Sequence, residues 1–231
     1  MSNSHNSLGQ KIGASLPNWS LCPSPQKNPI VGTYCRLEPL NSAQHSKDLW
    51  CAYGADTEDR IWTYLPYGPF ITPLALAQWL THHSASNDPL FFAIIDTSSG
   101  KALGIATYLR IQPEIGVIEV GHINFSPALQ KTTAATEAMY LMMKHAFDLG
   151  YRRYEWKCDN LNLGSKRAAQ RLGFNYDGLF KQAAIYKNRN RDTAWFSILD
   201  VQWPALAAEY QRWLSVDNFN SDGTQVSSLN T

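Results

Sequence analysis

The stretch "SPALQKTTAATEA", residues 126–138, gathers residues whose types and spacing suit anion chemistry. It opens a segment whose apolar residues at 135, 138, 139, 142, 146 and 149 fall at helical spacing and which stops at Gly150. A helix N-terminus offers unpaired N–H groups and the positive end of the helix dipole, and so can seat a phosphate. Access requires small first-turn side chains, which Thr132, Thr133, Ala134 and Ala135 supply, with Lys131 adding charge and the threonines adding hydroxyls. The plainer reading is that Ser126-Pro127 ends a strand and small residues let the helix lie close on a sheet; spacing alone leaves both open. The chain has neither GxxxxGK[ST] nor GxGxxG, so the segment is not a P-loop or a dinucleotide fingerprint.

Other candidates flank it. Glu119 is the one carboxylate inside the apolar run 116–126, with Glu119, Gly121, Ile123 and Phe125 expected on one face and His122 on the other. Half burial would raise its pKa toward that of a base at neutral pH; a positioning or structural carboxylate fits equally. Ser165 lies three residues after Asn162, a helix cap, and is read either as chemistry or as satisfaction of the helix end. Cys158 has no paired histidine and reads as a small buried hydrophobe. "KNRNRD" (187–192) reads as a basic hairpin tip, and Trp62, Tyr64 and Tyr67 as pocket lining or as a loop anchor.

These residues need elements to hold them. "TYCRLEPL" (33–40) alternates as a strand, 41–54 is capped as a helix, and "TPLALAQWLTHH" starts a second helix with Thr then Pro. "LFFAIID" and "ALGIATYLRI" form a hairpin around "TSSGK", and 116–126 is a third strand. After the long helix come a strand at 154–158, a helix at 162–174, two strands ("NYDGLFKQAAIY", "TAWFSILD") and an amphipathic segment, "WPALAAEYQRWL". Strand–helix–strand–helix–strand beside an antiparallel meander points to an α/β or α+β sheet. Residues 1–30 are expected as a flexible or loosely docked extension, 31–214 as one domain, and 215–231 as a polar, disordered tail.

Composition bounds the function. With 231 residues, 44% of them apolar, the chain can bury a core, and its net charge of +1 argues against bulk nucleic-acid binding. Residues 130–231 carry thirteen Lys/Arg against ten Asp/Glu, the better half for an anionic ligand. Four cysteines without CxxC pairing, adjacent His82-His83 that cannot share a helix face, and no membrane-length apolar run suggest a soluble cytoplasmic protein with reduced thiols, no metal and no membrane partner.

The segment "EVGHINFSPALQKTTAATEAMYLMMKHAFDLGYRRYEWKCDNLNLGSKRAAQRLGFNYDG" resembles the GNAT superfamily of N-acetyltransferases, and its RimJ/RimL-like branch in particular. The family's cofactor motif falls on Gln130, Thr133 and Ala135, followed by "TEA"; the branch's second motif falls on Asn162, Ser165, Arg171, Gly173 and Phe174. The resemblance covers about residues 31–200 and implies a mixed, mostly antiparallel sheet, splayed at the cofactor site and flanked by helices. It implies acetyl-CoA as co-substrate, with pyrophosphate on Gln130, Lys131, Thr132, Thr133, Ala134, Ala135 and Thr136. Pantetheine would lie along Ile123, Asn124 and Phe125, with Asn162 and Ser165 at the cofactor site. The chain departs from the family at Thr133, where many members have Gly, and at Ala169, where many have an acid tyrosine; Ser165 matches the serine that serves instead in RimL-like members. Glu119 matches a frequent family glutamate and is the candidate base, beside a water chain. The acceptor implied is a small-molecule or peptide amine, the assembly a monomer or homodimer. A non-catalytic acyl-CoA-binding or sensing module is the alternative.

Overall fold

The computed structural model describes residues 4–231. Ten strands and five helices follow one another in this order: β1 Ser4–His5, β2 Lys11–Ile12, β3 Ile30–Val31, β4 Cys35–Pro39, α1 Ser42–Tyr53, α2 Pro73–Ser84, β5 Leu90–Asp96, β6 Ala102–Gln112, β7 Val117–Phe125, α3 Thr133–Asp148, β8 Arg153–Asp159, α4 Leu163–Arg171, β9 Asn175–Tyr186, β10 Arg189–Leu199 and α5 Trp203–Leu214. Caps fix the helix starts: Asn41 Oδ1 accepts from Ala43 and Gln44, Thr72 from Ala75, Thr132 from Ala135 and Asn162 from Ser165.

Eight strands form one sheet in the order β3-β4-β5-β6-β7-β8-β10-β9, and every neighbouring pair is antiparallel except β7–β8. β5 is buried along nearly its whole length because helices cover both faces, which is why "LFFAII" is a continuous apolar run. Phe91, Ala93 and Ile95 pack with Leu49, Leu76 and Leu80 of α1 and α2. Leu37, Phe92, Tyr108, Ile118 and Val120 pack on the other face with Ala138, Met142 and Ala146 of α3.

Two expectations about the third strand fail for one reason. Ile105 pairs with Asn124 and Thr107 with Gly121, so two β7 residues oppose Ala106 alone; His122, at φ 48°, forms a bulge. Beyond it the alternation flips. Glu119 and Gly121 stay on the Phe91 face, but Ile123 and Phe125 turn to the α3 core. His122, expected opposite Glu119, instead stacks on Tyr67 and lies against Phe91.

The basic tip is also shorter than expected: only Lys187 and Asn188 turn, and Arg189 already belongs to β10. Residues 4–29 dock through buried Cys22, whose N–H donates to Pro113 O, and through Trp19, whose indole donates to Glu114 O. Residues 215–231 turn back over α5: Asn218 is buried and bonded to Trp213 and Ser227, and Leu229 packs on the main core. Polar side chains that pair with one another let a segment of that composition dock.

Candidate functional site

β7 and β8 pair through Val117–Arg153 to Val120–Trp156 and then separate. Past that point the edge of β7 at 121–125 and the edge of β8 at 157–159 face a gap with no strand between them among the described residues. Because the bulged β7 bends away, the sheet is open in its middle, and an extended ligand can add to either edge.

α3 starts at that gap. Lys131 adopts a left-handed φ of 62°, Thr132 caps the helix, and its Oγ1 donates to Leu129 O. Thr132 N is taken by Leu129 O and Ala135 N by the cap; the N–H groups of Lys131, Thr133 and Ala134 donate to nothing among the described residues. Those three N–H groups, the free Thr133 hydroxyl and the Lys131 ammonium form the seat. Thr136, buried, receives a bond of 3.2 Å from Arg171 of α4, a second cation beside the same turn. Gln130 folds back, its Nε2 donating to Phe125 O at 2.9 Å, which ties the helix start to the strand end. Asn124 is 1% exposed, yet its amide Nδ2 and Oδ1 find no partner. Buried amides are ordinarily satisfied, so this one fits a polar ligand entering the gap. Diphosphate and amide-bearing pantetheine match the seat and the edge.

Glu119 stands at the mouth of the gap inside an ion network. Lys157 Nζ bonds to Glu119 Oε2 at 2.6 Å and to Glu155 Oε2 at 2.7 Å, and sits 3.7 Å from the centre of the Trp195 ring. Arg110 approaches the same Glu119 oxygen at 3.4 Å. Burial raises the Glu119 pKa above the usual carboxylate value, against the opposing pull of Lys157 and Arg110. Glu155 is also penalised by burial but falls below its usual value, because Arg153 and Lys157 both bond to it.

On the opposite side of β8, Ser165 Oγ accepts from the Trp156 indole at 2.9 Å, while Asn162 caps α4 by accepting from the Ser165 N–H. The Ser165 hydroxyl therefore does not cap its helix. Burial keeps the Cys158 thiol above its usual pKa despite a hydrogen bond from Ser165, so it is neutral rather than nucleophilic. Ala169, at the position of the family's acid tyrosine, is fully buried.

Trp62 is a buried anchor, stacked edge-on against Tyr53 and Phe70; Lys187 of the hairpin tip donates to its carbonyl, and Tyr64 donates to Leu161 O. Tyr67 OH lies 3.3 Å from His122 Nδ1. Burial, with the charges of His83 and Arg191 adding to it, drives His122 down to about 4, so it is neutral at physiological pH. Beside these rings a cleft of about 230 Å³ is lined by Trp50, Tyr53, Asp56, Trp62 and Phe70. Among the described residues no three His, Cys, Asp or Glu side chains are grouped to hold a metal, and no helix is long and apolar enough to cross a membrane.

The structure thus sets the α3 start beside the β7 edge, with Glu119 on the last paired stretch of β7 and Asn162 and Ser165 across β8 from it. Sequence reading passed over Lys157 and the Asn124 side chain, and named Arg171 only as a motif residue without its contact to Thr136. Lys157 does share a strand face with Glu155, but only the parallel register, Glu119 opposite Glu155, brings it to Glu119.

A family model for the acetyltransferase (GNAT) domain matches residues 35–175. A GCN5-related N-acetyltransferase from Brucella melitensis is 47% identical, with 93% of this chain and 97% of that one covered and a TM-score of 0.91. A probable GNAT-family acetyltransferase from Chromobacterium violaceum is 40% identical, covering 84% and 96%, with a TM-score of 0.78. The Microcin C7 self-immunity acetyltransferase MccE, solved with acetyl-CoA and AMP, shares the fold at 17% identity, 73% and 93% coverage and a TM-score of 0.64. No curated protein matches the chain.

Proposed function

The chain belongs to the GNAT acetyltransferase family, and on that premise we propose that it moves an acetyl group from acetyl-CoA to a primary amine, by direct attack with both substrates bound. The observation that carries this reading is the parting of β7 from β8 after Val120–Trp156, directly beside a small-residue helix start where the N–H groups of Lys131, Thr133 and Ala134 donate to nothing among the described residues. Diphosphate would be held by the N–H groups of Lys131, Thr133 and Ala134, with Gln130, Thr132, Ala135 and Thr136 shaping the seat and Lys131 and Arg171 supplying charge. The pantetheine arm would lie along Ile123, Asn124 and Phe125, its amides meeting the strand edge and the Asn124 side chain. Asn162 and Ser165 would close the β8 side of the gap.

Acetyl-CoA supplies an activated acyl thioester; the chain's own groups bind, orient and move protons. Glu119 takes the proton that the acceptor ammonium loses, directly or through water. Ser165, whose oxygen accepts from Trp156, turns its proton from Cys158 to the departing thiolate and regains one from the acylated nitrogen through water. Backbone N–H groups on the β7 edge polarise the thioester carbonyl. The acceptor, a small-molecule or peptide amine, enters from the side of Trp62, Tyr67 and His122. The "NLGSKRAAQRLGF" motif supports the RimJ/RimL-like branch as the finer reading, with action in the cytoplasm as part of the proposal.

Thermal unfolding with excess acetyl-CoA tests the site. At about a hundred times its dissociation constant, the ligand should stabilise the native state by about 2.7 kcal/mol, and Thr133→Arg should abolish the shift. An amine screen for thioester consumption then separates transfer from binding: a ligand shift without turnover on any amine would leave the non-catalytic acyl-CoA-binding module.

A further inference from the structure

The bonds to Glu119 are unevenly shared between its two oxygens. Lys157 and Arg110 both approach Oε2, and Oε1 has no partner among the described residues. A β-carbon placed on Gly121 would sit 3.8 Å from Oε1, so this free oxygen lies beside the first β7 residue past the last β7–β8 pair. Lys157 is itself locked. Its side chain is 7% exposed, bridges Glu119 and Glu155, and rests on the Trp195 ring, which Phe180 backs at 4.4 Å.

We propose that Lys157 is a positioning residue for the transfer reaction: by fixing Glu119 Oε2 and balancing its charge, it presents Oε1 to the gap as the proton acceptor. The inference rests on the reading of Glu119 as the base. In the step it serves, one ammonium proton passes to Oε1 and then to water, the N–C bond forms as the C–S bond breaks, and the thiolate takes the Ser165 proton while Ser165 regains one from the now acylated nitrogen through water. The charged groups around Glu119 come from every neighbouring strand. Arg110 on β6 and Lys157 on β8 stabilise the carboxylate. Glu155 on β8 opposes it, and is itself held by Arg153, which also bonds Asp177 of β9. β10 contributes the Trp195 ring, and on β7 the neutral His122 is turned to Tyr67. The arrangement makes opposite predictions for the two β8 neighbours, because Lys157 favours the ionised carboxylate and Glu155 disfavours it.

The experiment is the pH dependence of kcat/KM for the amine in the full chain, for wild type, Glu119→Gln, Lys157→Met, Lys157→Arg and Glu155→Gln, with acetyl-CoA affinity measured alongside by thermal shift. Glu119→Gln should abolish the acidic limb. Lys157→Met should move that limb up by about one pH unit or more, Lys157→Arg should bring it back toward wild type, and Glu155→Gln should move it down, all with acetyl-CoA affinity unchanged. If Lys157→Met does not fold, which a buried unpaired carboxylate can cause, Glu155→Gln decides, since it keeps Lys157 in place. Limbs that stay put in Lys157→Met and Glu155→Gln while Glu119→Gln loses its limb would overturn the role of Lys157 and leave the base standing. An acidic limb that survives in Glu119→Gln would overturn both.

Discussion

Ser165 shows how far a single side chain can be argued. A hydroxyl three residues after an Asn cap is most simply a helix-end residue, but here Asn162 caps alone and the Ser165 oxygen accepts from Trp156. An oxygen that already accepts from an indole is oriented, and the proton it retains can be aimed at sulfur chemistry in the gap. Ser165→Ala should therefore lower kcat by about 100-fold with acetyl-CoA binding intact, the scale of one lost general acid. Trp156→Phe, which frees the oxygen to rotate, should lower kcat less. Steady-state kinetics with the thermal shift as a binding control reads both. A Ser165→Ala enzyme with unchanged kcat but a lowered melting point would make the hydroxyl structural.

Elements decide which of these residues meet, and here the sequence was readable in part. The order of strands and helices from residue 33 to 214 follows from caps and periodicity: Asn41, Thr72 and Pro73, and the 3.6-residue stripe of α3 all stand where their elements begin or run. The start of α3 with its small first-turn residues was legible because both are local features. The faces of β7 were not, because the left-handed residue is His122 and not the adjacent Gly121, and one such residue inverts everything after it. The Glu119–Lys157 pair was hidden too, since it depends on a register between strands separated by a helix. Glu137 makes the same point for the join between α3 and β4. Its carboxylate accepts from three consecutive N–H groups, Thr33 at 2.8 Å, Tyr34 at 2.6 Å and Cys35 at 2.7 Å, while Gly32 leaves room for it: a β-carbon there would lie 2.5 Å from the carboxyl carbon. Glu137→Ala strands those donors and should cost about 3 kcal/mol, seen as a lower denaturant midpoint at unchanged slope. Glu137→Gln, which keeps one acceptor, should cost less, and Gly32→Ala should resemble Glu137→Ala. Equal midpoints for all three and wild type would remove the clip from the account.

At the scale of the whole molecule, the C-terminal segment is joined to the first turn of α3 by a chain of contacts. Trp213 of α5 donates to Gln225, and Asn218 bonds both Trp213 O and Ser227, so residues 216–231 fold around the end of α5. Thr231 Oγ1 then donates to Arg171 O at the end of α4. Arg171 in turn lies 5.5 Å above the Trp213 ring and donates to Thr136 in the first turn of α3. Removing residues 216–231 would expose Trp213, free the end of α4 and loosen the only α4 side chain that reaches the seat among the described residues. Loss of Leu229 from the core and of the buried Asn218 bonds should lower the melting temperature, by about 2–4 °C per kcal/mol for a chain of this size. If the segment only stabilised the fold, acetyl-CoA would still raise the melting point of the shortened chain by as much as that of the full one. Because Arg171 depends on Trp213 for its posture, the ligand shift should shrink as well, and Arg171→Gln in the full chain should reproduce that loss with little change in the unliganded melting point. Parallel melts of the three proteins with and without acetyl-CoA separate the cases. A shortened chain with a full ligand shift would confine the tail to holding α5 and α4 in place, with no hand in binding.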